Sequence, residues 1–149
     1  KIKSRKQVTD AFLKIGFMVN LFAYGSLMLP AVFQQVAKRV PRSTEARLVN
    51  FKRVCVQNES YPAALPAMGE QIIGTLWLDV SEEEILQLDA FEGSDYQRVI
   101  VNVSDLAGQP YAACFYQWNR DDGLVDQPWD LDWFKRSGIS EFSRKFLQQ

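Results

Sequence analysis

The feature that most constrains the fold is a strand that breaks on a glycine and runs straight into a helix. Val19 to Ala23 is a short apolar run that reads as a buried strand. It stops at Tyr24-Gly25-Ser26, and Pro30 then opens a helix, because proline's fixed φ and missing N–H suit the first helical position. Such a junction leaves several backbone N–H groups without partners at one point. It is either a plain tight turn or a receptor for an anion or a carbonyl oxygen.

The remaining periodicity surrounds that junction with alternating elements. Pro30 to Arg39 reads as a short helix with Val32, Phe33, Val36 and Val40 as its apolar stripe, and Pro41 ends it. Ala46 to Gln57 alternates as a strand through Leu48, Phe51 and Val54. Tyr61 to Pro66, bracketed by two prolines, reads as an ordered apolar loop that packs as a lid or lines a pocket. Gln71 to Val80 is a strand whose Gly74 suggests a bulge or a close backbone approach. Ser81 and Glu84 then form a capping box ahead of a helix that Gly93 stops, with Ile85, Leu86, Leu88 and Phe91 apolar. Tyr96 to Val103 and Tyr111 to Trp118 read as a hairpin, Asn119 to Asp132 as an acidic loop, and Trp133 to Leu147 as a terminal helix broken near Gly138. This order predicts an α+β domain, a small mixed β-barrel with flanking helices.

Composition narrows the chemistry. The 149 residues suffice for one domain with its own core. Histidine is absent, which removes imidazole bases, His-ligated metal sites and Ser-His or Cys-His catalysis together. Proton transfer falls to a carboxylate, Lys, Tyr or Cys. Cys55 and Cys114 form no CxxC and read as reduced strand residues of a cytoplasmic protein. No apolar run reaches membrane-spanning length. Residues 1–17 carry five basic residues and one acid, and read as a basic extension preceding a domain over 18–149, with Met18 a natural start. The domain itself carries 12 basic and 17 acidic residues, so neither nucleic acid nor membrane is an expected partner.

Several residues invite chemical readings. Ser26 lacks both the second glycine of a nucleophile elbow and a base, so it is not read as a nucleophile. The aspartates of 119–132 lack EF-hand spacing and read as solvated; no metal is expected. In 115–118, Tyr116 and Trp118 face the opposite side of the strand from Phe115 and Gln117, and one side is core. Glu92 sits at a helix C-terminus, where unpaired carbonyls disfavour a carboxylate, and Asp89 adds like charge. It is either an inconsequential helix-end acid or a carboxyl poised for proton transfer.

Three stretches, Phe22-Ala23-Tyr24-Gly25-Ser26-Leu27, Tyr61-Pro62-Ala63-Ala64-Leu65-Pro66 and Leu88-Asp89-Ala90-Phe91-Glu92-Gly93-Ser94-Asp95-Tyr96-Gln97-Arg98, resemble in order and spacing the γ-glutamylcyclotransferase-like superfamily. Within it, the chain is most similar to γ-glutamylamine cyclotransferases and plant avirulence-induced proteins, over about Met18 to Trp118. The resemblance implies a small mixed β-barrel with a pocket at one end. It further implies cofactor-free cyclisation of a γ-glutamyl amine or dipeptide to 5-oxoproline. Glu92 stands at the family's catalytic carboxylate. The turn of Tyr24, Gly25, Ser26 and Leu27 would bind the γ-glutamyl group, and Tyr116 corresponds to a later pocket tyrosine. A non-catalytic small-ligand module, or an enzyme acting on another acyl-amine bond, are the alternatives. Oligomeric state stays open, as does the leaving group; an acidic 119–132 rim would suit a cationic amine.

Overall fold

The computed structural model describes residues 17–148, so the basic extension read over 1–17 lies, but for Phe17, outside the described residues. Six strands form a mixed sheet: β1 (Met18–Ala23), β2 (Ser43–Val56), β3 (Pro62–Ser81), β4 (Tyr96–Asp105), β5 (Pro110–Trp118) and β6 (Leu124–Pro128). Their order is β3-β1-β5-β4-β2-β6, and an additional β2–β3 pairing joins the ends of the first five into a closed ring. Among the described residues only β1–β5 is parallel, with Leu21 opposite Cys114; the other pairs are antiparallel.

Strand alternation divides the apolar residues into two principal cores. Phe22 and Tyr24, Leu76, and Ala113 and Phe115 pack into one cluster with Leu48 and Ile72. Their neighbours Leu21 and Ala23, Trp77, and Cys114 and Tyr116 face the other cluster, shared with the helices. Trp77, Phe33 and Phe134 are among its fully buried side chains. Gly74 is required where β3 crosses the end of β1. A Cβ there would lie 2.4 Å from the Ala23 carbonyl oxygen and 2.8 Å from Phe22 Cζ, the close approach expected of it.

Helix α1 (Pro30–Ala37) is two residues shorter than its sequence pattern. Lys38 adopts a left-handed conformation (φ 68°) and ends it, leaving Val40 exposed rather than in the stripe. Helix α2 (Glu82–Glu92) carries the expected capping box: Ser81 Oγ accepts from the Glu84 N–H (3.1 Å), and Glu84 Oε1 accepts from the Ser81 N–H (2.9 Å). Ile85 and Leu88 are fully buried, whereas Leu86 points outward.

Three expectations are corrected. Tyr61 to Pro66 is not a loop: all but Tyr61 belong to β3, where Pro62 to Pro66 pair with Cys55 to Phe51. Proline is tolerated because this part of β3 pairs with β2 alone. Pro62 sends its carbonyl to the Tyr96 hydroxyl (2.7 Å), so its missing N–H also lies away from the ladder. The acidic 119–132 segment contains β6, which pairs with the end of β2. The terminal helix is not broken at Gly138. It runs through 131–147 as α3, alternating α-helical (Leu131–Trp133, Ile139–Phe142) and π-helical (Phe134–Gly138, Ser143–Leu147) stretches. A spacing of four drifts around an α-helix of about 3.6 residues per turn, and the wider π turns offset that drift. Phe134, Gly138, Phe142 and Phe146 therefore follow one stripe, with Phe134–Phe142 and Phe142–Phe146 ring centroids 5.5 and 5.0 Å apart. Gly138 admits the Trp133 ring, which a Cβ would meet at 2.8 Å.

Candidate active site

The topology explains why distant segments converge. Strands β1 and β5 run parallel, so their C-terminal ends, Ala23 and Trp118, share one end of the sheet. Strand β4 runs against β5 and starts at that end, with Tyr96 opposite Trp118. Helix α2 finishes just before β4, which brings Glu92 to the same place. A cleft of about 670 Å³, its solvent-filled mouth included, opens there. Tyr24, Gly25, Ser26, Leu27, Glu92 and Tyr116 all line it.

The turn is held rigidly. Ser26–Met28 form a single 3₁₀ turn, closed by the Met28 N–H to the Gly25 carbonyl (3.0 Å). Trp77 Nε1 donates to the Leu27 carbonyl (2.9 Å), and Arg53 Nη1 donates to the Tyr24 carbonyl (2.9 Å). Among the described residues, the N–H groups of Gly25, Ser26 and Leu27 donate to no acceptor. This is the set of unpaired donors that a strand-to-helix junction leaves. Gly25 packs against Pro62, whose ring carbons would lie 2.9 Å from an added Cβ. Ser26 is buried.

Glu92 lines the same cleft as the turn. Desolvation, and then the negative charge of Asp89, push its carboxyl from 4.5 up to about 8. Among the described residues no hydrogen bond or ion pair reaches that carboxylate. Asp89, by contrast, is fixed. Arg98 Nε and Nη2 bind its two oxygens at 2.9 and 3.3 Å, and the Tyr116 hydroxyl donates to Oδ1 at 2.7 Å. The Tyr24 hydroxyl donates to the Tyr116 carbonyl. Burial holds the Tyr24, Tyr96 and Tyr116 hydroxyls above the ordinary tyrosine range, with nearby Glu92 reinforcing each, so all three remain protonated donors.

Tyr61 and Pro62, from the stretch read as a lid or pocket lining, also line the cleft. Sequence reasoning missed Phe91, Asp95, Tyr96, Phe142 and Phe146 in its wall. Nothing local in the sequence shows that α3 brings Phe142 and Phe146 back to the strand ends. The 119–132 aspartates do not line the cleft. Asp122 pairs with Arg120 (2.9 Å), Asp126 with Lys52 (3.7 Å), and Asp130 caps α3 through the Asp132 N–H (3.0 Å). Among the described residues no group of three or more Cys, Asp or Glu is arranged to hold a metal, and no helix is long and apolar enough to cross a membrane.

A closed mixed sheet with flanking helices and a cleft at its strand ends defines the γ-glutamylcyclotransferase-like fold. A solved structure titled "Gamma-glutamyl cyclotransferase" shares it with a TM-score of 0.64 at 20% identity, over 86% of this chain and 85% of that one. A solution structure of an Arabidopsis thaliana protein is similar at a TM-score of 0.66 and 28% identity, over 87% and 88% of the two chains. The chain belongs to the family described as "Gamma-glutamyl cyclotransferase, AIG2-like", whose model matches residues 21–135. Its curated relatives include AIG2-like protein D of Arabidopsis thaliana, 28% identical over 138 residues (89% of this chain, 91% of the relative). AIG2-like protein A of the same plant is 30% identical over 129 residues (85% and 78%).

Proposed function

We infer that the protein is a γ-glutamyl cyclotransferase, acting through the 18–149 domain on a small γ-glutamyl amine or dipeptide and needing no cofactor. The observation that carries this reading is that Glu92 and the Tyr24–Leu27 turn line one cleft. The substrate's α-nitrogen attacks its own γ-carbonyl carbon. The new N–C bond closes 5-oxoproline, and the bond from that carbon to the leaving nitrogen breaks. Two protons leave the α-ammonium and two arrive on the departing amine, which leaves as an ammonium ion. Glu92, as carboxylate, takes a proton from the α-nitrogen and returns one to the leaving nitrogen, so it ends as it began.

The free N–H groups of Gly25, Ser26 and Leu27 supply donors for the substrate carboxylate or for negative charge developing on the γ-oxygen. Ring closure is intramolecular, so holding the bent conformer removes much of the entropic barrier. A carboxyl near 8 is matched to this shuttle, because it both accepts and releases protons near neutral pH. The test is release of 5-oxoproline from a panel of γ-glutamyl amines, γ-glutamyl dipeptides and glutathione. Wild-type protein should turn over at least one of them, and Glu92→Gln should abolish that turnover. Inertness across the whole panel would refute the enzymatic reading.

A further inference from the structure

The lining of the cleft is of two chemical kinds. The Gly25–Leu27 N–H groups and Glu92 suit the γ-glutamyl half, which carries both a carboxylate and an ammonium. Most of the other lining residues are aromatic. Phe91 meets Phe142 edge to face (centroids 5.9 Å), Phe142 meets Phe146 (5.0 Å), and Phe146 meets Tyr61 edge to face (5.7 Å). Four rings from α2, α3 and the approach to β3 thus form one continuous wall. Phe142 is buried and anchors it; Phe146, Phe91 and Tyr61 remain partly open to the cleft.

Charge complementarity decides what such a wall accepts. Among the described residues no Lys or Arg lines the cleft, so a leaving group bearing its own carboxylate finds no counter-charge there. Its acids are Glu92 and Asp95. Asp95 already faces Arg120 at 3.6 Å, and Glu92 is committed to proton transfer. A cationic leaving amine would therefore be desolvated without a free partner. Ring faces can hold a cation, but the edge-to-face contacts occupy part of those faces.

We propose that the leaving half of the substrate is a neutral aromatic or bulky apolar amine, selected by the ring wall of Phe91, Phe142, Phe146 and Tyr61, with Phe146 the specificity-determining residue. This rests on the cyclotransferase reading. It replaces the acidic 119–132 segment with the C-terminal helix as the source of selectivity.

The experiment compares γ-glutamyl-phenethylamine, γ-glutamyl-cadaverine and γ-glutamyl-methylamine as substrates. For wild type, kcat/KM for the phenethyl amide should exceed that for the cadaverine amide by about 10- to 100-fold. Phe146→Ala should lower the phenethyl-to-methyl ratio about tenfold, and Phe146→Leu should restore most of it. Equal or better turnover of the cadaverine amide would overturn the proposal. So would an unchanged ratio in Phe146→Ala. Calorimetric binding of the same three amides to Glu92→Gln separates this inference from the reaction itself. Selective binding of the phenethyl amide, without turnover by wild type, would uphold the wall and refute the cyclotransferase. Indiscriminate binding would refute the wall whatever the turnover.

Discussion

Replacing Glu92 with Gln should make the protein more stable in alkali while removing its activity. The folded state holds the Glu92 carboxyl at about 8 against an ordinary 4.5. Between those values the native protein keeps a proton that the unfolded chain has lost. Stability must therefore fall as pH rises through this window. Each pH unit of separation is worth about 1.4 kcal/mol, so the full window amounts to at most about 5 kcal/mol. Water in the mouth of the cleft screens part of this, leaving about 2–5 kcal/mol. Gln has the same shape and no charge to desolvate. The variant should match wild type at pH 4 and exceed it by that amount at pH 9, below the range where the buried tyrosines ionise. Urea unfolding at pH 4, 6 and 9 measures the difference, with m-values required to stay constant so that it reports stability alone. All other titrations are common to both proteins and cancel. Parallel stability curves would refute the claim that the cleft strains the Glu92 carboxylate.

Asp89→Asn removes the second cause of the high Glu92 value but not burial, the larger one. The pH limb on which kcat/KM rises, and the Glu92 ¹³C titration that checks it, should shift down but stay above the ordinary 4.5. An unmoved titration would show that Asp89 does not couple to Glu92. Gly74→Ala forces a Cβ to 2.4 Å from the Ala23 carbonyl oxygen, which the backbone cannot relieve without separating β1 from β3. It should cost about 3 kcal/mol or more in urea unfolding. Ser81→Ala deletes the helix cap and should cost about 1 kcal/mol while leaving the Glu92 titration in place. A displaced titration would mean that the two ends of α2 are not independent.

Local chemistry was legible in the sequence, and convergence was not. The Ser81 capping box reads directly because its two bonds join residues three apart. The Tyr24–Leu27 turn and the electrostatic awkwardness of Glu92 read for the same reason: glycine, proline and helix-end charges act within one turn of chain. Tyr61 to Pro66 misled because two prolines count against a strand only where both edges need N–H donors, and edge position is a tertiary fact. The β6 segment misled because its aspartates mask a short run that pairs only once β2 is in place. The aromatic stripe of α3 keeps a spacing of four, which a regular α-helix of about 3.6 residues per turn would gradually carry off one face. That Glu92 and the turn share a cleft follows from the parallel pairing of β1 with β5, Leu21 with Cys114, which leaves no local trace. The resemblance to known cyclotransferases, and not periodicity, joined those two stretches in advance.

Helix α2 shows how the molecule accommodates a carboxyl where helix electrostatics oppose it. Its first turn carries Glu82, Glu83 and Glu84, all favourable toward the positive end of the dipole, and its last turn carries no base. Glu84 is shared: it closes the capping box and accepts from Arg39 Nε and Nη2 at 2.8 and 2.7 Å. Ile85 and Leu88 fix the same helix in the core with no exposed surface. The C-terminal turn inverts this logic, placing Asp89 and Glu92 toward the negative end of the dipole. Asp89 escapes the penalty through Arg98 and Tyr116; Glu92 has no such partner among the described residues. A helix optimised for stability alone would end on a lysine. The stable N-terminal end and the buried face supply the rigidity, and the strained end holds an acid whose proton is loosely enough bound to be moved.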